Sequence, residues 1–229
     1  MPSLTVENYV KMIFQISSRE SGRPTVGTGE LANALDVSPG TVTGMLKTLS
    51  ESDLATYTPY EGAQLTSSGR RLALAVIRRH RLVELFLART LQMSWDELHD
   101  EAENLEHAVS DRLVDRMDAF LGYPAVDPHG DPIPQADGTL NEPTCEALVQ
   151  LARGSRFRVV RVVDQHPAFL RYLTECGVEI GVEGTLLENR PEAGAVVIVL
   201  RDQPIAMGVD IAGKVLVSPI DGTGPTAAG

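Results

Sequence analysis

Residues 28–52 read Thr28-Gly-Glu-Leu-Ala-Asn-Ala-Leu-Asp-Val-Ser-Pro-Gly-Thr-Val-Thr-Gly-Met-Leu-Lys-Thr-Leu-Ser-Glu-Ser52. Leu31, Ala32 and Leu35 are spaced as the inward face of a short helix from about Thr28 to Leu35. Asp36-Val-Ser is a tight connection. Ser38 then caps a second helix, with Pro39 in its first turn, where a missing N–H breaks no hydrogen bond. This helix runs to about Ser52 and buries Val42, Met45, Leu46 and Leu49. A helix, a short turn and a second capped helix make the helix-turn-helix pattern. The spacing alone also fits any small three-helix packing. Leu54 to Thr66 narrows the reading, because it forms two short strands around Glu61-Gly62, the wing of a winged helix. The start of the second helix presents Ser38, Pro39, Thr41 and Thr43, with Lys47 a turn further on. Small hydroxyl side chains there can lie close to base edges and phosphates, and Lys47 can neutralise a phosphate.

Upstream, residues 5–20 place Val6, Tyr9, Val10, Ile13, Phe14 and Ile16 on one helical face, with Thr5 at the N-cap. Ser21-Gly-Arg-Pro-Thr25 is a turn. Downstream, three helices are expected: Ser67 to Leu91, Trp95 to Val109, and Ser110 to Leu121 with Ser110 as cap. Leu82, Leu85, Phe86, Leu98, Leu105, Leu113 and Met117 suit a core or a two-fold interface.

The middle helix of these three holds His99-Asp-Glu-Ala-Glu-Asn-Leu-Glu-His107. At about 100° per residue, His99, Glu103, Glu106 and His107 fall within roughly a third of the helix circumference. Their heads can converge, since i+3 and i+4 neighbours lie about 5–6 Å apart. Imidazoles and carboxylates are N and O ligands of the kind that hold a divalent transition metal. His80 and Glu84 form a second i, i+4 pair on the preceding helix. A helix rich in His and Glu is more often a solvated face; two such clusters, without Lys on the same stripe, bring metal binding level with that reading.

Residues 122–143 hold five prolines and three glycines and read as an extended connector, with His129 a structural residue in a turn. Beyond it the pattern changes. Residues 157–163, 178–187, 194–200, 204–209 and 214–217 read as short strands, and 168–176 as a short helix before Gly177. Five strands and one helix suggest a small, partly open β-barrel. The Gly-, Pro- and Ala-rich tail from Asp221 is expected to be disordered. The expected architecture is mainly α with β: a winged helix-turn-helix over 1–74, a helical metal-binding and dimerisation domain with its Pro-rich linker over 75–143, and the small barrel over 144–229.

Composition limits the function. Hydrophobic content is 43% and net charge −11. The acid excess is local: residues 96–118 carry nine acids against two arginines, whereas the first 75 residues are balanced, with six Lys or Arg against seven Asp or Glu. The excess is electrostatic demand for bound cations, and a winged helix can still meet DNA. No apolar run approaches the ~18 residues of a membrane span. Met1-Pro-Ser-Leu-Thr-Val-Glu7 lacks a basic start and an apolar core, so no signal peptide is expected. Cys145 and Cys176 make neither a metal motif nor a disulfide framework, which fits a cytoplasmic protein. There is no His-Glu-x-x-His, nucleophile motif or phosphate loop, so an enzyme and a small-molecule substrate are not expected.

These motifs together resemble the diphtheria-toxin-repressor family of metal-dependent transcriptional repressors. The resemblance rests on Thr5-Val-Glu-Asn-Tyr-Val10, Val37-Ser-Pro-Gly-Thr-Val-Thr43, Leu65-Thr-Ser-Ser-Gly-Arg70, Arg79-His-Arg-Leu-Val-Glu84, His99 to Asp111, and Asp127-Pro-His-Gly-Asp-Pro-Ile-Pro134. It implies an SH3-like C-terminal domain and two metal positions. The regulatory position would use Asn8, Glu103, Glu106 and His107; the ancillary one His80, Glu84 and His99, with Asp164 a looser candidate from the C-terminal domain. In this family's iron sensors a cysteine stands at position 103 and a methionine at position 8. Glu103 and Asn8 offer harder oxygen donors, which points to the manganese branch, with Fe²⁺ the alternative. That branch commonly has an aspartate at position 8, and some members have a second carboxylate where Lys11 stands.

The resemblance implies a homodimer that binds near-palindromic double-stranded operator DNA when Mn²⁺ is present, and represses metal-uptake genes. Without metal, repulsion among carboxylates would hold the DNA-binding unit mobile or badly spaced; metal would tie the N-terminal helix to the dimerisation domain. The rivals are a metalloenzyme on the His-Glu stripe and a metal-independent winged-helix regulator.

Overall fold

The computed structural model describes residues 4–19 and 25–220. Most of the expected turn at 21–25, and the whole tail from Asp221, lie outside them. The chain forms two compact units: one takes the chain to His80 with Asn104–Val114 and Pro134–Leu140, the other takes Arg81–Glu103, Asp115–Ile133 and the chain from Asn141.

In the first unit, α1 (Leu4–Arg19), α2 (Thr28–Ala34) and α3 (Pro39–Glu51) surround the two-stranded wing, β1 (Ala55–Thr58) and β2 (Gly62–Leu65). Thr5 lies inside α1 rather than capping it, because the helix already begins at Leu4. Tyr9, Val10, Ile13 and Phe14 of α1 share one core with Leu31, Val42, Leu46, Leu49, Ala55 and Ala63. Ile13, Leu31, Leu46 and Leu49 are fully buried, each contributing about 1.5–3 kcal/mol. Ser38 caps α3 as expected: its Oγ accepts the Thr41 backbone N–H at 3.1 Å, worth about 1 kcal/mol. The strands pair antiparallel from Ala55↔Leu65 to Thr58↔Gly62. Gly62 turns the wing with φ 108°, and Val26 bridges Ala63 to add a third edge. The long helix α4 (Ser67–Leu91) has the bounds read from sequence, and contributes Ala73, Leu74 and Ile77 to this core.

Helix α5 (Leu98–Glu106) is shorter than the expected Trp95–Val109, and α6 spans Asp111–Phe120. A turn fills 94–97, with Glu97 Oε2 accepting the Ser94 N–H at 3.1 Å and its O–H at 2.6 Å. Ser110 receives the Leu113 N–H on its hydroxyl at 3.3 Å, the expected cap.

In the second unit, β3 (Glu146–Ala147), β4 (Arg156–Val162), β5 (Glu183–Arg190), β6 (Ala195–Leu200), β7 (Gln203–Gly208) and β8 (Val215–Pro219) form one antiparallel sheet, with α7 (Pro167–Glu175) and α8 (Val209–Ala212) beside it. The order β3-β8-β4-β5-β6-β7 holds six strands rather than five. It is an open sheet: β3 and β7 are its two edges among the described residues. Phe157, Val159, Leu170, Leu173, Leu186, Ile198, Val215 and Val217 fill its core.

The Pro-rich segment is more than a connector. Asp127, His129, Gly130, Asp131, Pro132, Ile133 and Pro134 are all buried. Asp127 Oδ1 accepts the backbone N–H of His129 (2.8 Å) and Asp131 (2.9 Å). The His129 carbonyl accepts the N–H of Val162 on β4 at 2.9 Å. Proline withholds donors from helix and strand, so the segment stays irregular, but carboxylate anchors satisfy the backbone it buries.

Candidate metal centre and nucleic-acid interface

Helix α3 presents Ser38, Pro39, Thr41 and Lys47 to solvent, with Thr43 half-buried. Ser38 and Thr41 share a hydroxyl–hydroxyl bond at 2.9 Å, and Thr43 donates to the Pro39 carbonyl at 2.9 Å. These hydroxyls are oriented by the helix and keep lone pairs for outside donors. Lys47 is the one cation in the α3 sequence.

The first unit gathers a dense polar cluster from α1, α4 and the end of α5. Glu106 is fully buried and both its oxygens are engaged: His80 Nδ1 stands 2.7 Å from Oε2, and Lys11 Nζ 2.7 Å from Oε1. Burial opposes ionisation of Glu106, but the His80 hydrogen bond and the Lys11 charge outweigh it and hold the carboxyl below its ordinary range. His107 follows the last residue of α5; its Nδ1 meets Glu7 Oε2 at 2.7 Å and its Nε2 stands 3.1 Å from Glu106 Oε1. Arg79 donates to the other oxygen of Glu7 at 2.9 Å. Beside Glu7 on α1, the Asn8 Oδ1 is buried and has no hydrogen-bond partner among the described residues.

The second unit holds the other donors. His99 Nδ1 lies 3.9 Å from Glu84 Oε1, and His99 Nε2 lies 3.9 Å from Glu103 Oε1. The other Glu84 oxygen lies 3.8 Å from His129 Nδ1, while His129 Nε2 contacts the Trp95 carbonyl at 2.9 Å. Glu84, Asp127 and His129 are all buried and their donor atoms lie within 4.8 Å of one another. Burial and the neighbouring Asp131 and Glu84 charges push Asp127 up to about 7. Burial would lower His129, but the Glu84 and Asp127 carboxylates raise it to about 8. Asp164 is engaged elsewhere: it takes Lys214 Nζ at 2.8 Å and the His166 N–H at 2.9 Å.

Three family models cover almost the whole chain: the N-terminal DNA-binding domain of iron-dependent repressors over 1–63, their metal-binding and dimerisation domain over 66–135, and the FeoA domain over 147–219. The chain is 30% identical to the diphtheria toxin repressor of Corynebacterium efficiens over 95% of its own length and 96% of that protein's. The chain belongs to the diphtheria-toxin-repressor family. The iron-dependent repressor IdeR of Mycobacterium tuberculosis is 28% identical, over 94% of this chain and 97% of that protein. A solved manganese-dependent transcriptional repressor in complex with manganese superposes with a TM-score of 0.85 at 38% identity, covering 94% of this chain and 100% of that one.

Glu106 and His107 meet in the first unit, and His80 joins them there through Glu106. Glu103 lies in the second unit with His99 and Glu84. Glu7 and Glu106 each carry a cationic partner in this structure, Arg79 for Glu7 and Lys11 for Glu106. Sequence reasoning missed Glu7, which lies one residue before a named candidate and one helical turn before Lys11. It also missed the burial of His129, whose Asp-Pro-His-Gly-Asp setting carried an Asx-turn signal. Among the described residues no helix is long and apolar enough to cross a membrane.

Proposed function

We propose that the chain is a manganese-activated repressor that binds operator DNA as a cytoplasmic homodimer and controls genes of metal uptake. The observation that carries the reading is the donor set of the first unit. Asn8 offers a buried amide oxygen with no hydrogen-bond partner among the described residues, and Glu106, His107 and His80 offer only further O and N atoms. That set fits a borderline or hard divalent cation, and similarity to a manganese-dependent repressor supports Mn²⁺. A bound divalent ion would supply positive charge between α1 and the end of α5. Asn8, Glu106 and His107 would hold it there, and Glu84 and His99 of the second unit would contribute to an ancillary position, with Glu103 and Asp164 as further candidate donors.

The chain's own residues do the rest. Glu7 fixes the His107 ring through Nδ1, which leaves Nε2 on the side of Glu106 Oε1. Helix α1 shares its apolar core with α3, so a constraint on Asn8 acts on the element that also supports the recognition helix. Ligand donors on α1 and on the end of α5 favour whichever state brings them together, and only that difference in affinity can shift DNA binding. In a dimer, the two α3 helices would address successive major grooves about 34 Å apart.

Fe²⁺ is the second reading, supported by the iron-dependent relatives, since Fe²⁺ accepts the same donors. The test is operator binding at fixed salt after chelation, then with Mn²⁺ or anaerobic Fe²⁺ restored. Recovery with Mn²⁺ supports the proposal, recovery with Fe²⁺ alone supports the second reading, and equal binding in chelator overturns both.

A further inference from the structure

Lys11 is the feature of this cluster that metal binding does not account for. Its ammonium is nearly buried, with a side-chain exposure of 7%, and lies 2.7 Å from an oxygen of the wholly buried Glu106. A lysine rarely gives up water unless an opposite charge replaces it. Here the replacement is the carboxylate that the metal reading assigns as a ligand. His80 covers the second oxygen at 2.7 Å. Both oxygens of Glu106 are therefore held by groups from the chain itself.

We propose that Lys11 is a tethered competitor of the metal ion: its ammonium occupies the Glu106 oxygen that a divalent cation would use, and must leave before that oxygen can ligate. The inference rests on the metal reading above and adds a property specific to this chain. Two consequences follow from charge alone. The ion pair joins α1 to α5 in the metal-free protein, so α1 is already anchored to α5 before metal arrives. Metal affinity is also lowered by the cost of breaking that ion pair, which sets a higher concentration threshold for loading.

The substitution Lys11→Leu removes the charge and supplies no ligand atom, while Lys11→Arg keeps the charge. Mn²⁺ binding to the full chain is followed by titration calorimetry and by loss of the free-ion electron paramagnetic resonance signal. Lys11→Leu is expected to bind Mn²⁺ about tenfold more tightly than the native chain, and Lys11→Arg within about twofold of it; tenfold corresponds to about 1.4 kcal/mol. Lys11→Gln, which keeps a polar head without charge, serves if leucine prevents folding and should move in the same direction. Equal or weaker binding by the neutral variants overturns the competition and leaves metal activation standing. Binding by a neutral variant but not by the native chain supports the competition and removes Mn²⁺ as the native effector. No binding by any variant overturns both proposals.

Discussion

Glu7 and His107 stand 100 positions apart in the chain and meet at 2.7 Å. The pair joins the acid in the first turn of α1 to the residue that follows α5, and Arg79 closes it from α4 at 2.9 Å. A carboxylate held between a guanidinium and an imidazole fixes the imidazole tautomer, which is what a histidine ligand needs from its surroundings.

Glu7→Gln should therefore be felt twice. It leaves Arg79 without its buried counter-ion, and the cost of breaking such a pair is about 3 kcal/mol. It also frees the His107 ring, and loss of such a supporting carboxylate weakens metal affinity about 10–100-fold. Denaturant unfolding of the metal-free protein reads the first effect and Mn²⁺ titration the second. A variant with native metal affinity would show that Glu7 does not orient His107.

How much of this is legible in the sequence depends on the range of the interaction. Helix α4 has the bounds read from its pattern, because a 25-residue amphipathic run between a Ser start and a polar stop is a local signal. Helix α5 reads too long because Trp95 and Leu98 share the apolar spacing, whereas residues 95–97 form a turn in which Glu97 accepts from the Ser94 N–H and O–H. The stripe of His and Glu is legible as donors, but the partner of each donor is not. Periodicity places Glu106 and Lys11 on helix faces without saying that those faces meet across 95 positions. The six prolines and glycines between 122 and 134 hide a buried segment, since turn residues report local backbone and not burial.

That buried segment gives a second prediction. Gly130 has φ 84°, and a Cβ there would fall on the Val160 carbonyl oxygen of β4. Gly130→Ala meets both backbone strain and a clash that no side-chain rotation relieves, so it should lower stability by about 2 kcal/mol or more. Thermal unfolding checks it. A neutral outcome would mean that the 127–131 turn is not anchored against β4.

Phe120 is 70% exposed at the end of α6, its ring edge-on to Phe86 at 6.0 Å between centroids. A large apolar ring in water at the end of a helix in a dimerisation domain is expected to be an interface residue. Phe120→Asp should convert the dimer to monomer at micromolar concentration, observed by light scattering after gel filtration, with the helical circular-dichroism signal unchanged. A dimer that survives the substitution would place the interface elsewhere.

Lys47 tests the nucleic-acid face separately from the metal. It is exposed on α3, and the hydroxyls of Thr41 and Thr43 around it are fixed by short bonds to Ser38 and Pro39. A single ammonium on such a face meets phosphate more readily than it reads a base, since bidentate base recognition favours a planar fork. Lys47→Ala should then weaken binding to operator and to unrelated DNA by similar factors. The slope of log affinity against log salt should become shallower by about one for each phosphate that Lys47 neutralises, once in each half of the dimer. Metal affinity in the absence of DNA should stay at the native value, because Lys47 is exposed on α3 and the donor groups lie on α1, α4 and at α5. If operator binding falls while unrelated DNA binding does not, Lys47 reads sequence, and the phosphate assignment is wrong.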